Sequence, residues 1–143
     1  MRLTVYSDYA LRVLMYLAIN REALSTIQEI ADHYGISKNH LMKVTYELGL
    51  AGYIDTVRGR GGGVRLAKAP DKIGIGDVIR STEEDFRLVE CFDPETDQCV
   101  ISGRCKLARI LGEALDNYLK TLDRYTLADL ARERGLKRRL MAV

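Results

Sequence analysis

Apolar residues in the first fifty positions recur at intervals of three and four, then give way to short β-type runs around a glycine-rich loop. From Ser7 onward, SDYALRVLMYLAIN places Ala10, Leu11, Leu14, Leu17 and Ala18 at helical spacing, which predicts a first helix ending near Asn20. In STIQEIADHYG, Ser25 or Thr26 can cap a second helix. Ile27, Ile30, Ala31 and Tyr34 form its apolar face, and Gly35 supplies a left-handed stop. The chain then turns over three residues, Gly35, Ile36 and Ser37. Ser37 is a suitable N-cap for a third helix starting at Lys38, with Ile36 and Leu41 placed as a hydrophobic staple.

The third helix turns Leu41, Val44 and Leu48 inward and leaves Lys38, Asn39, His40, Met42 and Lys43 on its exposed first turns, with Gly52 just past its end. Two short helices around a tight glycine turn form a helix-turn-helix, whose second helix offers its N-terminal residues to base edges in the major groove. The runs YIDTV and VRL flank the loop RGRGGG, Arg58 to Gly63, and predict a hairpin wing. Glycine lets the backbone approach a phosphate closely, and arginine is drawn to narrow minor grooves. The loop lacks the Gly-Lys-Ser/Thr ending of a P-loop and precedes a strand, so a nucleotide cradle is disfavoured. The candidate DNA-contacting residues are therefore Lys38, Asn39, His40 and Lys43 on the helix, and Arg58, Arg60 and Gly62 on the wing.

A second long stripe follows Cys105, with Leu107, Ile110, Leu111, Ala114, Leu115, Tyr118, Leu119 and Leu122 on one broad helical face. A helix of about 18 residues spans roughly 27 Å, more than a small winged-helix core covers, so a two-fold partner helix is the expected cover. The alternative is intramolecular packing of the same face. A homodimer also suits palindromic double-stranded DNA with half-sites about 34 Å apart. The expected fold is mainly α with a small β-hairpin wing, a winged helix-turn-helix plus a long dimerisation helix. Residues 1–80 form the DNA-binding domain, 81–105 a loop region, and 106–143 the dimerisation helix with a C-terminal helix or tail.

At 143 residues, the chain is one domain of ordinary size or a small domain with a helical appendage, able to bury a core without disulfide staples. Charges interrupt every long apolar run, which speaks against a membrane span, and MRLTVYSDYALR lacks the apolar core of a signal peptide. The expected compartment is the cytoplasm, where thiols stay reduced. The net charge is only +2, yet residues 38–68 carry six basic side chains against Glu47 and Asp55. That local excess favours an anionic partner, although a modestly basic solvated face is common. No catalytic triad, paired-carboxylate site or dinucleotide fingerprint occurs, which points away from an enzyme.

All three cysteines fall within CFDPETDQCVISGRC, as C-x7-C-x5-C. Three thiolates can hold three iron corners of a 4Fe–4S cube or three positions of a 2Fe–2S cluster, leaving one ligand to find. Zinc is the rival metal, since Cys3His is a usual site and His33 and His40 are available. Three unrelated thiols are the bland alternative, but polar, turn-forming neighbours make this stretch poor core material. Cys105 opens the long helix, where the N-terminal dipole favours the thiolate.

Taken in order, MRLTVYSDYALRVLMYLA, GISKNHLMKV, VRGRGGGVRLAK, the clustered cysteines and RYTLADL resemble the iron–sulfur winged-helix transcription regulators of bacteria. That family includes the NsrR, IscR and RirA branches, and the resemblance spans roughly residues 1 to 131. It implies a repressor that binds palindromic DNA as a homodimer and carries an iron–sulfur cluster, 4Fe–4S in preference to 2Fe–2S, on Cys91, Cys99 and Cys105. Asp8, together with ISKNHLMKV and YTLADL, is similar to the nitric-oxide-responsive NsrR branch. There an aspartate of the first helix, reaching across from the other subunit, completes the cluster, and DNA is released when the cluster is nitrosylated or lost. Asp8 also has an ordinary explanation in the helix dipole and in Arg12 four residues on. The cysteine spacing fits iron-responsive RirA-type and cluster-status IscR-type members as well. A redox or electron-transfer protein on a winged-helix scaffold is the remaining class; DNA binding separates it from a regulator.

Overall fold

A computed structural model describes residues 1–133, 135–140 and 142. Helix α1 covers Val5–Ile19, α2 Ile27–Tyr34 and α3 Lys38–Leu50; strands β1, Ile54–Val57, and β2, Gly63–Leu66, follow. A 3₁₀ turn at Pro70–Lys72 leads to α4, Ile75–Thr82, and a second at Glu90–Phe92 lies in the cysteine segment. Helices α5, Lys106–Asp123, α6, Leu127–Ala131, and α7, Leu136–Leu140, complete the chain. The expected fold, mainly helical with a two-stranded antiparallel wing, is what forms. Of the tail expected to run to residue 143, Arg134, Met141 and Val143 lie outside the described residues.

Local chemistry sets most of these boundaries. The first helix begins before Ser7 because Thr4 caps it, its hydroxyl accepting the Ser7 N–H at 3.2 Å. Thr26, not Ser25, caps α2 in a reciprocal capping box with Glu29. Gly35 ends α2 in the left-handed region at φ 63°. Ser37 does precede α3, but its side chain makes no capping hydrogen bond, so the expected cap at this junction is positional only.

Leu14 and Leu17 of α1, Ile30 of α2, and Leu41 and Leu48 of α3 close one core with Val64 of the wing and Ile73, Val78 and Ile79 around α4. Full burial of each such side chain contributes about 1.5–3 kcal/mol, which makes the helix-turn-helix a rigid platform. Leu127 of α6 is fully buried in the same core and packs the region after the long helix back on α1. The wing joins the platform through Ser25: its N–H donates to the Val64 carbonyl at 3.1 Å, and Val64 N–H returns to the Ser25 carbonyl at 2.8 Å. A β-carbon at residue 63 would stand 2.6 Å from that Ser25 oxygen, so glycine there lets the strand come in close.

Helix α5 behaves differently. None of its 18 residues is buried within the chain, and Leu107 and Ile110 are 60% and 51% exposed. It meets α4 at its C-terminal end, where Arg80 grips Asp123 with two hydrogen bonds of 2.6 and 2.8 Å. The ion pair occupies the space Gly76 leaves open, where a β-carbon would meet the ends of the Asp123 and Arg80 side chains. Among the described residues no helix is long and apolar enough to cross a membrane.

Candidate nucleic-acid interface and metal centre

Helix α3 keeps Leu41, Val44, Thr45 and Leu48 against the core, so its opposite face is open. Lys38, Asn39, His40 and Lys43 are all exposed, and so are Arg58 and Arg60 at the wing tip. Among the described residues, Lys38, Lys43, Arg58 and Arg60 have no acidic partner, so their charge is free for an external anion. Arg65 is different: it stands opposite Asp55 in the hairpin register, 3.9 Å from its carboxylate. His40 leans toward α1, its ring 6.3 Å from that of Tyr9.

Gly62 has a structural duty at the wing tip. A β-carbon there would run into the Val57 carbonyl oxygen and stand 2.9 Å from that of Gly59, both rigid backbone. Met42, expected on the exposed first turns, is 50% exposed, and Tyr46, which sequence reasoning left out, is 65% exposed; both share the face with Asn39 and Lys43 by helical spacing. The same spacing that placed Leu41 and Val44 inside could have found Tyr46; an apolar or aromatic side chain does not advertise itself as a DNA contact.

The cysteine segment is a loop framed by its own acids. Cys91 lies in the Glu90–Phe92 turn, Cys99 is exposed, and Cys105 is the N-cap of α5; all three thiols are free. Asp93 is only 6% exposed. Its carboxylate accepts the Arg87 guanidinium at 2.6 Å, the Thr96 hydroxyl at 3.0 Å and the Glu95 N–H at 3.1 Å. Those hydrogen bonds, the Glu95 N–H foremost, hold its pKa below the ordinary aspartate value against the opposing effect of burial. Glu90 accepts the Gln98 N–H at 2.6 Å, and Asp97 accepts the Cys99 N–H at 3.0 Å and the Ser102 hydroxyl.

Asp8 lies in the first turn of α1, as expected, and within the chain it holds Arg12 through two hydrogen bonds of 2.8 and 3.0 Å. The Arg12 guanidinium in turn lies 5.8 Å from the Tyr9 ring and 5.9 Å from that of Tyr34. Among the described residues, no three His, Cys, Asp or Glu side chains of one chain converge on a metal position. His33 packs against Tyr16 and Tyr34, at 5.3 and 5.2 Å, and the His40 ring stands 6.3 Å from that of Tyr9, so both histidines have aromatic neighbours within the helix-turn-helix and α1. By donor chemistry the loop suits iron and sulfide: three free thiols, one at a helix N-terminus without an acid in its first turn, and the loop's buried acid occupied with loop contacts.

The family model described as Rrf2, iron-dependent transcriptional regulator, matches residues 3–133. The HTH-type transcriptional regulator NsrR of Bacillus licheniformis is 54% identical over 143 residues, covering 99% of this chain and all of that protein. The protein of the same name from Bacillus subtilis is 56% identical over 135 residues, covering 94% and 92%. Among solved structures, IscR of T. potens is 25% identical with a TM-score of 0.75, covering 95% of this chain and 91% of that one. CymR, the global cysteine regulator of B. subtilis, is 26% identical with a TM-score of 0.72, covering 92% and 96%.

Proposed function

The chain belongs to the Rrf2 family of iron-dependent transcriptional regulators, and from that premise we propose a dimeric repressor whose hold on palindromic DNA depends on an iron–sulfur cluster and is released by nitric oxide. As a transcriptional regulator it is not an enzyme. The observation that carries the DNA-binding part is the exposed face of α3, where Lys38, Asn39 and Lys43 project from a helix whose other side is locked into the core. Asn39 and its neighbours read base edges, and Arg58 and Arg60 of the wing take phosphates or the minor groove. The unburied stripe of α5 is the dimer contact, which sets two reading heads on one two-fold axis.

Cys91, Cys99 and Cys105 hold the cluster, 4Fe–4S in preference to 2Fe–2S, and the partner subunit's Asp8 completes it. When bound, the cluster supplies iron whose bond to a hard carboxylate is the weakest of the four and the one most open to a small molecule. Asp8 must then leave Arg12. An exposed i,i+4 pair is worth only about 0.3–0.5 kcal/mol, so the exchange is easy in either direction. The branch assignment to nitric oxide rests on relatives named NsrR at 51–56% identity over nearly the whole chain.

The test is a titration of anaerobically prepared, cluster-loaded protein on its palindromic operator with a nitric oxide donor. A hundredfold loss of affinity, about 2.8 kcal/mol, is the expected result. Equal affinity before and after complete reaction removes the switch and leaves the DNA-binding assignment in place. Serine at Cys91, Cys99 or Cys105 is expected to abolish stable iron and sulfide uptake, and Asp8→Ala to retain uptake with faster iron loss.

A further inference from the structure

We propose that Asp93 and Arg87 are positioning residues for the thiolates: they fold residues 87–99 into a frame that presents Cys91 and Cys99 together before any metal arrives. The proposal rests on the cluster reading above and goes beyond it by assigning work to side chains that are not ligands. Asp93 is the one buried carboxylate among the described residues, and it lies in a polar loop between two candidate ligands, not in the core. A carboxylate left there without partners would cost more than the loop could recover, so its three hydrogen bonds to Arg87, Glu95 and Thr96 are conditions for the loop's shape.

The backbone follows the same centre. The Asp93 carbonyl accepts the Thr96 and Asp97 N–H groups at 3.2 and 3.0 Å, reversing the chain immediately after Cys91. Glu90 then closes the circuit by accepting the Gln98 N–H at 2.6 Å. Residues 90 and 98 are each the chain neighbour of a candidate ligand, Cys91 and Cys99, so this one contact joins the two ligand-bearing ends of an eight-residue excursion. Arg87 contributes twice. Its N–H donates to Asp85 at 2.8 Å, and its guanidinium donates to Asp93 at 2.6 Å, which connects the frame to the segment leaving α4.

Ordering entropy gives the frame its consequence. A loop that must be arranged by the metal subtracts the cost of fixing each residue from the metal's affinity; a loop arranged by its own side chains does not. Asp93→Asn retains size but replaces one of the two acceptor oxygens with an N–H donor and removes the charge that grips Arg87, while Arg87→Gln removes the other end of the same contact.

The experiment is a Co²⁺ titration of the metal-free full-length chain, wild type against Asp93→Asn and Arg87→Gln, read by thiolate-to-metal charge-transfer absorbance. Melting of the helical core is followed in parallel, and Thr96→Val is a third, milder variant that does not threaten folding. The expected result is Co²⁺ affinity lower by about tenfold in Asp93→Asn and Arg87→Gln, the size of one lost charge-assisted contact. Core melting stays unchanged, and the loss of iron and sulfide to a chelator is faster in the loaded variants. Wild-type Co²⁺ affinity in well-folded Asp93→Asn and Arg87→Gln overturns the proposal and leaves the cluster reading standing. A wild-type chain that gives no thiolate band and takes up no iron and sulfide overturns both.

Discussion

Arg60→Ala isolates the wing from everything else the protein does. Arg60 sits at the tip of the hairpin, is exposed, and has no acidic partner among the described residues. Its removal therefore opens no cavity and strands no buried charge, and folding stability is expected to change by less than about 0.5 kcal/mol. On DNA the effect is electrostatic. Each neutralised phosphate adds about 0.9 to the slope of log affinity against log salt, and the proposed dimer loses two contacts, so the slope falls by about 1.8. Across a fourfold rise in salt, from about 50 to 200 mM, that amounts to about one decimal order: the wild type loses about tenfold more affinity over the range than the variant. Fluorescence anisotropy with operator and scrambled duplexes at five salt concentrations measures this, and both duplexes should show the same change because a phosphate contact carries no sequence information. Arg65→Ala is the control. Its charge is already partly met across the strand by Asp55, and its slope change is expected to be below one unit for the dimer. A slope and affinity unchanged in Arg60→Ala at every salt concentration would mean that the wing does not touch the duplex.

Gly62→Ala forces a β-carbon into the Val57 carbonyl and is expected to destabilise the hairpin by about 1–3 kcal/mol, weakening DNA binding more than core stability; near-wild-type binding would refute the tight wing turn. Ile110→Glu places a charge on the unburied stripe of α5 and is expected to yield monomers by sedimentation with the winged-helix circular dichroism intact; a dimer of unchanged affinity would move the interface elsewhere. Burial pushes the Tyr34 phenol up to about 12 from an ordinary 10.0, against the lowering effect of Arg12. The folded chain thus holds that proton longer than the unfolded one. Stability is full below about pH 10, falls as pH rises from 10 to 12, and should fall less steeply in Tyr34→Phe; identical alkaline unfolding slopes would refute the assignment.

What the sequence made legible is what short-range chemistry controls. A helix cap at Ser25 or Thr26, the left-handed Gly35, the i,i+4 pair of Asp8 with Arg12 and the 18-residue periodicity of α5 all depend on residues within a turn or two of one another. Helix α4 escaped notice because Ile75, Val78 and Ile79 fill barely two turns and follow a glycine, a pattern indistinguishable from a loop with apolar anchors. Long-range contacts were invisible for a different reason: Arg80 and Asp123 are 43 residues apart, and only folding brings them within 2.6 Å. Glu83 is a similar case. It accepts the Thr4 N–H and hydroxyl and the Ser7 hydroxyl, so it caps a helix 79 residues away in the chain. The frame around Asp93 went unread because acids in a loop usually face water; its burial follows from Arg87, six residues before it, coming back over the turn.

The long-range contacts also determine how a change in the cysteine loop reaches DNA on the proposed reading. Among the described residues, the hydrogen bonds that join helix α5 and the chain just after it to the winged helix lie at the C-terminal end of α5. There, Arg80 holds Asp123, Ile75 N–H donates to the Tyr125 carbonyl at 3.0 Å, and Leu127 N–H donates to the Ile73 carbonyl at 2.8 Å. Cys105 stands at the opposite end, about 27 Å away at 1.5 Å per residue, and nothing between is buried in the chain. A helix held in this way is a lever with its fulcrum at α4. A tilt of about 5° at the clamp moves the Cys105 end by about 2 Å over that length. In a two-fold dimer with paired α5 helices, the same tilt repositions both reading heads at once. The heads must match successive major grooves about 34 Å apart, and side chains that hydrogen-bond base edges tolerate little displacement. The core of each head is too well packed to bend in compensation, so a change at the loop is expressed as a change in the angle between heads, not as unfolding of either one.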